Sequence, residues 1–222
     1  GAGRGQLGHR GLLLLAIGLC LRAGAQPGAL DPSFANGGRF TIFDVTLKGM
    51  VVQPDQRILV AGSRLEADND ILLMRLLPDG GLDPSFGTNG LVVRDLAMSN
   101  DRVSTVRLQP DGRILVAGLS EHPYVARFNA NGTLDSSFGA GGYAWMDHPG
   151  VYAEEYWAVG LQADGSVLLA GTKYLTADFG DVIVFHLFAD GTVDESFGVG
   201  GSVTLDGAIA DQLTALATLP DG

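Results

Sequence analysis

Apolar positions in this chain come in short runs broken by glycine, proline, asparagine and aspartate, and no stretch keeps a helical spacing. The clearest run, Arg113-Ile114-Leu115-Val116-Ala117-Gly118, is almost continuously apolar, with no polar alternation. Both faces of such a strand must be covered by protein, as in face-to-face stacking of small sheets. The same pattern predicts strands at Arg39–Val45, Met50–Gln53, Arg57–Arg64 and Ile71–Leu77. A second set falls at Leu91–Asp95, Val103–Gln109, Arg113–Leu119 and Tyr124–Asn129, and a third at Gly142–Met146, Trp157–Gln162, Ser166–Thr172 and Val182–Phe188. Ser202–Leu205 and Leu213–Leu219 open a fourth.

The strands recur because the sequence does. Gln53 to Gly62 reads QPDQRILVAG, Gln109 to Gly118 reads QPDGRILVAG and Gln162 to Gly171 reads QADGSVLLAG, starting 56 and 53 residues apart. Leu219-Pro220-Asp221-Gly222 begins another copy 57 residues on. Periods of this size mark supersecondary units too small to bury their own apolar face. Four short antiparallel strands per period is what a propeller blade requires. The expected fold is all-β and propeller-like, with about three and a half four-stranded blades in an incomplete ring. The repeats run approximately 30–81, 82–133, 134–192 and 193–222, and the rest of the ring is expected beyond residue 222.

Turn chemistry fixes the hairpins. In Pro110-Asp111-Gly112, proline presets the first position of a type I turn and glycine takes the left-handed residue of a three-residue loop. Copy one has Gln56 in place of that glycine, at a cost of about 1 kcal/mol if the left-handed conformation is kept. The closing Ala117-Gly118 suits either crowded backbones or a bulge. A second signature follows each hairpin: Leu82-Asp83-Pro84-Ser85-Phe86-Gly87, Leu134-Asp135-Ser136-Ser137-Phe138-Gly139 and Val193-Asp194-Glu195-Ser196-Phe197-Gly198, with an earlier copy from Leu30 to Ala35. Asp-x-Ser invites local side-chain to backbone hydrogen bonds, and the phenylalanine supplies an anchor between sheets.

Together the two motifs resemble the delta-60 repeat family of bacterial β-propeller-like repeats, over essentially all of Ala29 to Gly222. The resemblance implies an exported or cell-surface, modular protein and brings no catalytic residues with it. Gln56 and Ala35 in place of glycine and Ala163 in place of proline depart from the pattern without disturbing the fold.

Charge and the N-terminus add a compartment. Arg4, His9 and Arg10 precede the apolar run Gly11–Leu21, and Ala23-Gly24-Ala25 offers a cleavage site, the layout of a signal peptide over residues 1–25. The run is about half of the ~20 residues a membrane span needs. Removing Arg4, Arg10 and Arg22 takes 14 Lys+Arg to 11 against 25 Asp+Glu, a formal charge of −14. Cys20, the one cysteine, goes with the leader, which leaves no disulfide or zinc-thiolate site. Such acidity argues against nucleic acid as a partner and suits a secreted, periplasmic or surface protein, with no membrane span after cleavage.

Two places carry candidate chemistry. Asn129, Asn131 and Asp135 place oxygens at alternate positions around a glycine turn, as a calcium loop does, but the twelfth position is Ala140 rather than an acid. Hairpin turns capped by side chains explain the pattern more simply. Glu66-Ala67-Asp68-Asn69-Asp70 reads as a solvated acidic loop. The stretch Tyr143–Trp157 departs most from the repeat and holds both tryptophans, Trp145 and Trp157, with Tyr143, Tyr152, Tyr156, His148, Glu154 and Glu155. Irregular loops are where a propeller places function. Aromatics beside carboxylates suit a sugar, whereas Tyr143, Trp145 and Trp157 on strands suit packing between blades. His122 and His186 are single residues, the latter read as packing within an apolar strand. No nucleophile elbow, phosphate loop or paired-histidine motif occurs. The leading expectation is a non-enzymatic scaffold that binds a protein or glycan partner. A secreted carbohydrate-binding or carbohydrate-active propeller and a calcium-stabilised adhesin are the alternatives.

Overall fold

The computed structural model describes residues 29–65, 69–96, 100–146, 153–176, 179–205, 213 and 215–218, with backbone alone for 153–157, 175, 176 and 179. The proposed leader, most of the Glu66–Asp70 loop, His148 and Tyr152 lie outside the described residues. Two compact units result, 1–40 and 41–222. In the first, Ser33 donates its N–H (2.9 Å) and hydroxyl (2.6 Å) to Asp31 Oδ1, and Ala35 bridges to Arg39. The strand predicted at Arg39–Val45 is absent: Arg39 makes only that bridge, and the first strand starts at Val45.

Among the described residues of the second unit there are twelve strands. They are β1 (Val45–Val52), β2 (Ile58–Leu65), β3 (Asn69–Leu76), β4 (Leu91–Arg94), β5 (Arg102–Leu108), β6 (Ile114–Leu119), β7 (Pro123–Phe128), β8 (Tyr143–Trp145), β9 (Ala153–Leu161), β10 (Val167–Thr176), β11 (Phe179–Leu187) and β12 (Ser202–Leu205). They form three antiparallel meanders: β1–β4 is blade one, β5–β8 blade two and β9–β12 blade three. The sequence grouping put Leu91–Asp95 with the second set, Gly142–Met146 with the third and Ser202–Leu205 with the fourth, and all three assignments are corrected by the pairing. After each Asp-x-Ser-Phe-Gly turn the chain folds back onto the strand it has just left: Leu73 pairs with Val92, Val125 with Ala144 and Val184 with Val203. Sequence repeat and sheet are therefore offset by one strand.

Each hairpin tip is the three-residue loop its sequence dictates. Gln109 N–H donates to the Arg113 carbonyl at 2.8 Å and Gly112 N–H to the Gln109 carbonyl at 3.0 Å, with Gly112 left-handed at φ 84°. Gln56 adopts the same conformation, φ 67°, at the corresponding place.

Strand β6 shows why its sequence is apolar throughout. Ile114 and Val116 point into one core with Leu59, Ala61, Ile71, Leu73 and Phe86 of blade one. Leu115 and Ala117 point into another with Val159, Val167, Leu169 and Ile183 of blade three. All four β6 side chains are fully buried, and each of the larger ones contributes about 1.5–3 kcal/mol. The first strands β1, β5 and β9 neighbour one another from blade to blade. Opposite the Ala-Gly pairs of β2 and β6, the facing first strand slips register, between Leu47 and Gly49 and between Val103 and Thr105. Bulge and crowding coincide there: a Cβ at Gly62 would overlap the Thr46 carbonyl, and one at Gly118 the Arg102 carbonyl.

Candidate functional site

The Asp-x-Ser-Phe-Gly signature builds the most elaborate polar arrangement in the described residues, at the seam between consecutive blades. The aspartate is preorganised locally: Asp83 Oδ1 accepts the N–H (3.0 Å) and hydroxyl (2.7 Å) of Ser85, and Asp135 Oδ1 accepts those of Ser137 (3.1 and 2.6 Å). The other oxygen meets an arginine from the third strand, Arg75 Nε at 2.8 Å in blade one and Arg127 Nε at 2.7 Å in blade two. Burial alone would raise these carboxyls. The Ser85 or Ser137 hydrogen bonds, with the arginine, nonetheless hold both below the ordinary carboxylate value. The hairpin arginines Arg57 and Arg113 also approach, 2.9 and 3.4 Å from Asp83 and Asp135.

The same guanidinium then leaves its own blade. Arg75 Nη1 donates to the Ala130 carbonyl of blade two at 2.7 Å, and Arg127 Nη1 to the Ala189 carbonyl of blade three at 2.7 Å. Beneath them lie Phe86, 4.6 Å from the Arg75 guanidinium, and Phe138, 4.5 Å from that of Arg127. Gly87 N–H donates to the Asn131 carbonyl (2.8 Å) and Gly139 N–H to that of Asp190 (2.7 Å). The receiving turns need glycine for two reasons. Gly132 and Gly191 are left-handed, at φ 89° and 86°, and a Cβ on Gly191 would sit 2.8 Å from the Phe138 ring. The paired signatures form a clamp that locks each blade onto the Ala-Asn/Asp-Gly turn of the next.

Blade three carries the same clamp with one exchange. His186 stands where Arg75 and Arg127 stand, five residues before the turn glycine, and its Nδ1 lies 2.9 Å from Asp194 Oδ2. Ser196 caps Asp194 Oδ1 through N–H (3.0 Å) and hydroxyl (2.5 Å), and these bonds, with His186, lower the carboxyl. His186 is thus a clamp residue rather than a packed one. Sequence reading missed this position. Its signal is the spacing shared by Arg75-to-Gly80, Arg127-to-Gly132 and His186-to-Gly191.

The sequence candidates fall elsewhere. Tyr143 and Trp145 lie on β8, half-buried against the core shared by blades one and two. Trp145 meets Tyr143 edge-on at 5.2 Å and buried Tyr124 at 5.8 Å. Glu154, Glu155, Tyr156 and Trp157 lie on β9, where Glu154 pairs in register with Lys173 and Glu155 with Thr172. The three calcium-loop candidates are each engaged in local hydrogen bonds. Asn129 Nδ2 donates to the Thr133 hydroxyl (3.0 Å), Asn131 Oδ1 caps Thr133, and Asp135 is held by Ser137 and Arg127. Among the described residues no three His, Cys, Asp or Glu side chains stand together as metal ligands, and no helix is long and apolar enough to cross a membrane.

A separate acid closes the seam between blades one and two near the start of β5. Asp101 is fully buried. Its N–H donates to the Asn69 carbonyl (2.6 Å), its Oδ2 accepts the Leu96 N–H (2.6 Å), and its carbonyl accepts the Ser63 hydroxyl (3.3 Å). Burial raises its carboxyl, and nearby Asp95 and Asp70 push the same way.

Residues 53–86, 109–138 and 162–197 match the family described as a beta-propeller domain of unknown function, DUF5122. Each stretch runs from a QPD-type hairpin into the Asp-x-Ser-Phe clamp. No curated protein matches the chain. A GH43 glycoside hydrolase engineered to display both endo-xylanase and exo-arabinofuranosidase activity is similar over 79% of this chain and 33% of its own, at 17% identity and a TM-score of 0.42. A protein of unknown function from Dyadobacter fermentans is similar over 79% of this chain and 46% of its own, at 18% identity and a TM-score of 0.40. Another, from Bacteroides caccae, covers 74% of each chain at 10% identity and a TM-score of 0.32. The chain thus spans a third of the first of these structures and under half of the second.

Proposed function

We propose that this chain, a run of β-propeller-like repeats, is a non-enzymatic scaffold of an exported protein that presents its loops to a binding partner outside the cell. One observation carries the reading: the most distinctive charged and aromatic residues of each repeat are committed to joining blades. Arg75, Asp83 and Phe86, with Arg127, Asp135 and Phe138, are buried in clamps, and Asp83 and Asp135 are ionised against arginines rather than poised for proton transfer. The aromatic pair Tyr143 and Trp145 supports the same reading, because their rings meet edge-on within blade two and pack against the core it shares with blade one. The acidic charge of −11 and a single cysteine in the N-terminal apolar stretch support an extracytoplasmic setting.

The test is a joint screen of the purified chain for turnover of chromogenic glycosides and for binding on a glycan array. The scaffold reading expects no turnover above blank. Turnover would overturn it, and glycan binding lost in Trp145→Ala or Trp157→Ala would replace it with a carbohydrate-directed role. A melting temperature raised by calcium and lowered by chelator would instead favour an adhesin with a repeat-borne cation site.

A further inference from the structure

The clamp of blade three is built like the other two but is not covered like them. Phe197 is half-buried where Phe86 and Phe138 are fully buried. Gly87 and Gly139 donate to the next blade's turn, whereas among the described residues Gly198 N–H finds no backbone acceptor. A neighbour has nonetheless begun to form on this blade. Leu213 N–H donates to Thr172 Oγ1 at 2.9 Å, repeating the bond from Val103 N–H to Ser63 Oγ, also 2.9 Å, by which β5 sits on blade one. Thr218 donates to the Leu161 carbonyl at 2.9 Å, and Gly160 leaves room for Leu216 and Thr218. Leu213 lies seven residues before Pro220, as Val103 lies seven before Pro110. This segment holds the first-strand place of another repeat.

The exchange of arginine for histidine changes how that repeat is held. A guanidinium has five N–H groups and stays charged, so Arg75 and Arg127 give one donor to their aspartate and another to the neighbour's carbonyl at any ordinary pH. His186 gives Nδ1–H to Asp194. In the neutral ring Nε2 then carries a lone pair, which would repel the carbonyl oxygen of an incoming turn, and only the imidazolium offers a second N–H. The charged groups facing the ring are Asp194, from its own signature loop, and Asp164, from the β9–β10 turn. The rings of Phe188 and Phe197 flank it at 5.9 and 5.5 Å.

We propose that the outer face of blade three is a docking site for a further four-stranded repeat, entered by an Ala-Asn/Asp-Gly turn, and that protonation of His186 tightens this joint while the two arginine joints stay unchanged between pH 5.5 and 8.0.

The gate is tested first at a joint whose receiving carbonyl is already in place. In the full chain, Arg127→His should cost more stability at pH 8.0 than at pH 5.5. The unfolding constant relative to the parent, from urea titration, should be about tenfold larger at pH 8.0 than at pH 5.5 if the joint raises the imidazole by one unit. The sign is that of a base gaining an acceptor: the added stability is full below the unfolded histidine value and is lost as pH rises through the folded one. An equal deficit at both pH values overturns the gate. The docking is tested by extending the chain past Gly222 with a second copy of residues 113–146, so that Pro220-Asp221-Gly222 leads into blade-two sequence. Hydrogen exchange at Gly198 should then slow by about tenfold or more at pH 5.5. The effect should be smaller at pH 8.0, and His186→Arg should equalise the two. A Gly198 rate unchanged by the extension overturns the docking site.

Discussion

The guanidinium of Arg127, on β7 of blade two, donates to the main-chain carbonyl of Ala189 in blade three at 2.7 Å while its Nε holds Asp135 at the same distance. One side chain therefore bonds two sheets, and both its side chain and that of Asp135 are under a tenth exposed. Arg127→Ala leaves a buried carboxylate without its main partner and a carbonyl without a donor. The expected cost is about 3–5 kcal/mol in urea unfolding. Arg113 approaches the same carboxylate at 3.4 Å, but its side chain is 42% exposed, so Arg113→Ala should cost under about 1 kcal/mol. Equal losses in the two variants would contradict the assignment of the clamp to Arg127.

Acid should loosen the seams, and one residue should work the other way. Asp83 and Asp135 are held below 3.8, so the stability they contribute is present above that value and is lost as pH falls through their folded values. Asp135→Asn should weaken the chain at pH 7 and flatten the fall in melting temperature below pH 4. Asp101 is raised by burial, so its contribution is full below 3.8 and declines as pH rises through its folded value. Asp101→Asn should raise the melting temperature at pH 7 relative to the parent and gain nothing at pH 3. A melting temperature lowered at pH 7 would show that the charged form is the one the fold needs.

Gly118→Ala tests the bulge. A Cβ at Gly118 has the Arg102 carbonyl oxygen on one side and the Tyr124 hydroxyl 2.8 Å away on the other. Overpacking of this kind costs about 1–3 kcal/mol. Ala117→Gly, one residue earlier, removes a single methyl group from the core and adds chain entropy, and should cost no more than about 2 kcal/mol. Equal tolerance of alanine at 118 and at an exposed site would mean that the two backbones do not approach closely.

Gln56 carries a strain that its sister copies avoid. At φ 67° it pays about 1–2 kcal/mol for a conformation Gly112 and Gly165 adopt freely. Gln56→Gly should stabilise the chain, by about 0.5–1 kcal/mol once glycine's extra chain entropy is counted, as an upward shift in the urea midpoint. No gain would indicate that the Gln56 side chain makes a compensating contact.

The hairpins and the cores were legible because local chemistry decides them. Pro110-Asp111-Gly112 has one low-energy way to turn, and the unbroken run at Ile114–Ala117 has to be covered on both sides. The anchoring role of Phe86 and Phe138 followed from their size. What escaped was pairing. Leu91–Arg94 follows a turn and reads like the start of a new unit, yet it returns to β3 because the Asp83 turn reverses the chain. The clamp arginines escaped too, since an arginine beside apolar neighbours looks like surface until its Asp83 or Asp135 partner is placed eight residues on. Tyr143 and Trp145 suited either a ligand patch or packing between blades, because rings near acids fit a sugar and rings on strands fill a seam, and their contacts with Tyr124 and the core of blades one and two follow the second pattern.

The one-strand offset between repeat and sheet bears on how such a chain lengthens. Duplication of a single genetic period supplies the edge strand to one sheet and three strands to the next, together with one complete set of fastening residues. A gene can therefore gain or lose whole periods by unequal recombination and leave every remaining seam chemically complete, whichever codon the exchange falls on.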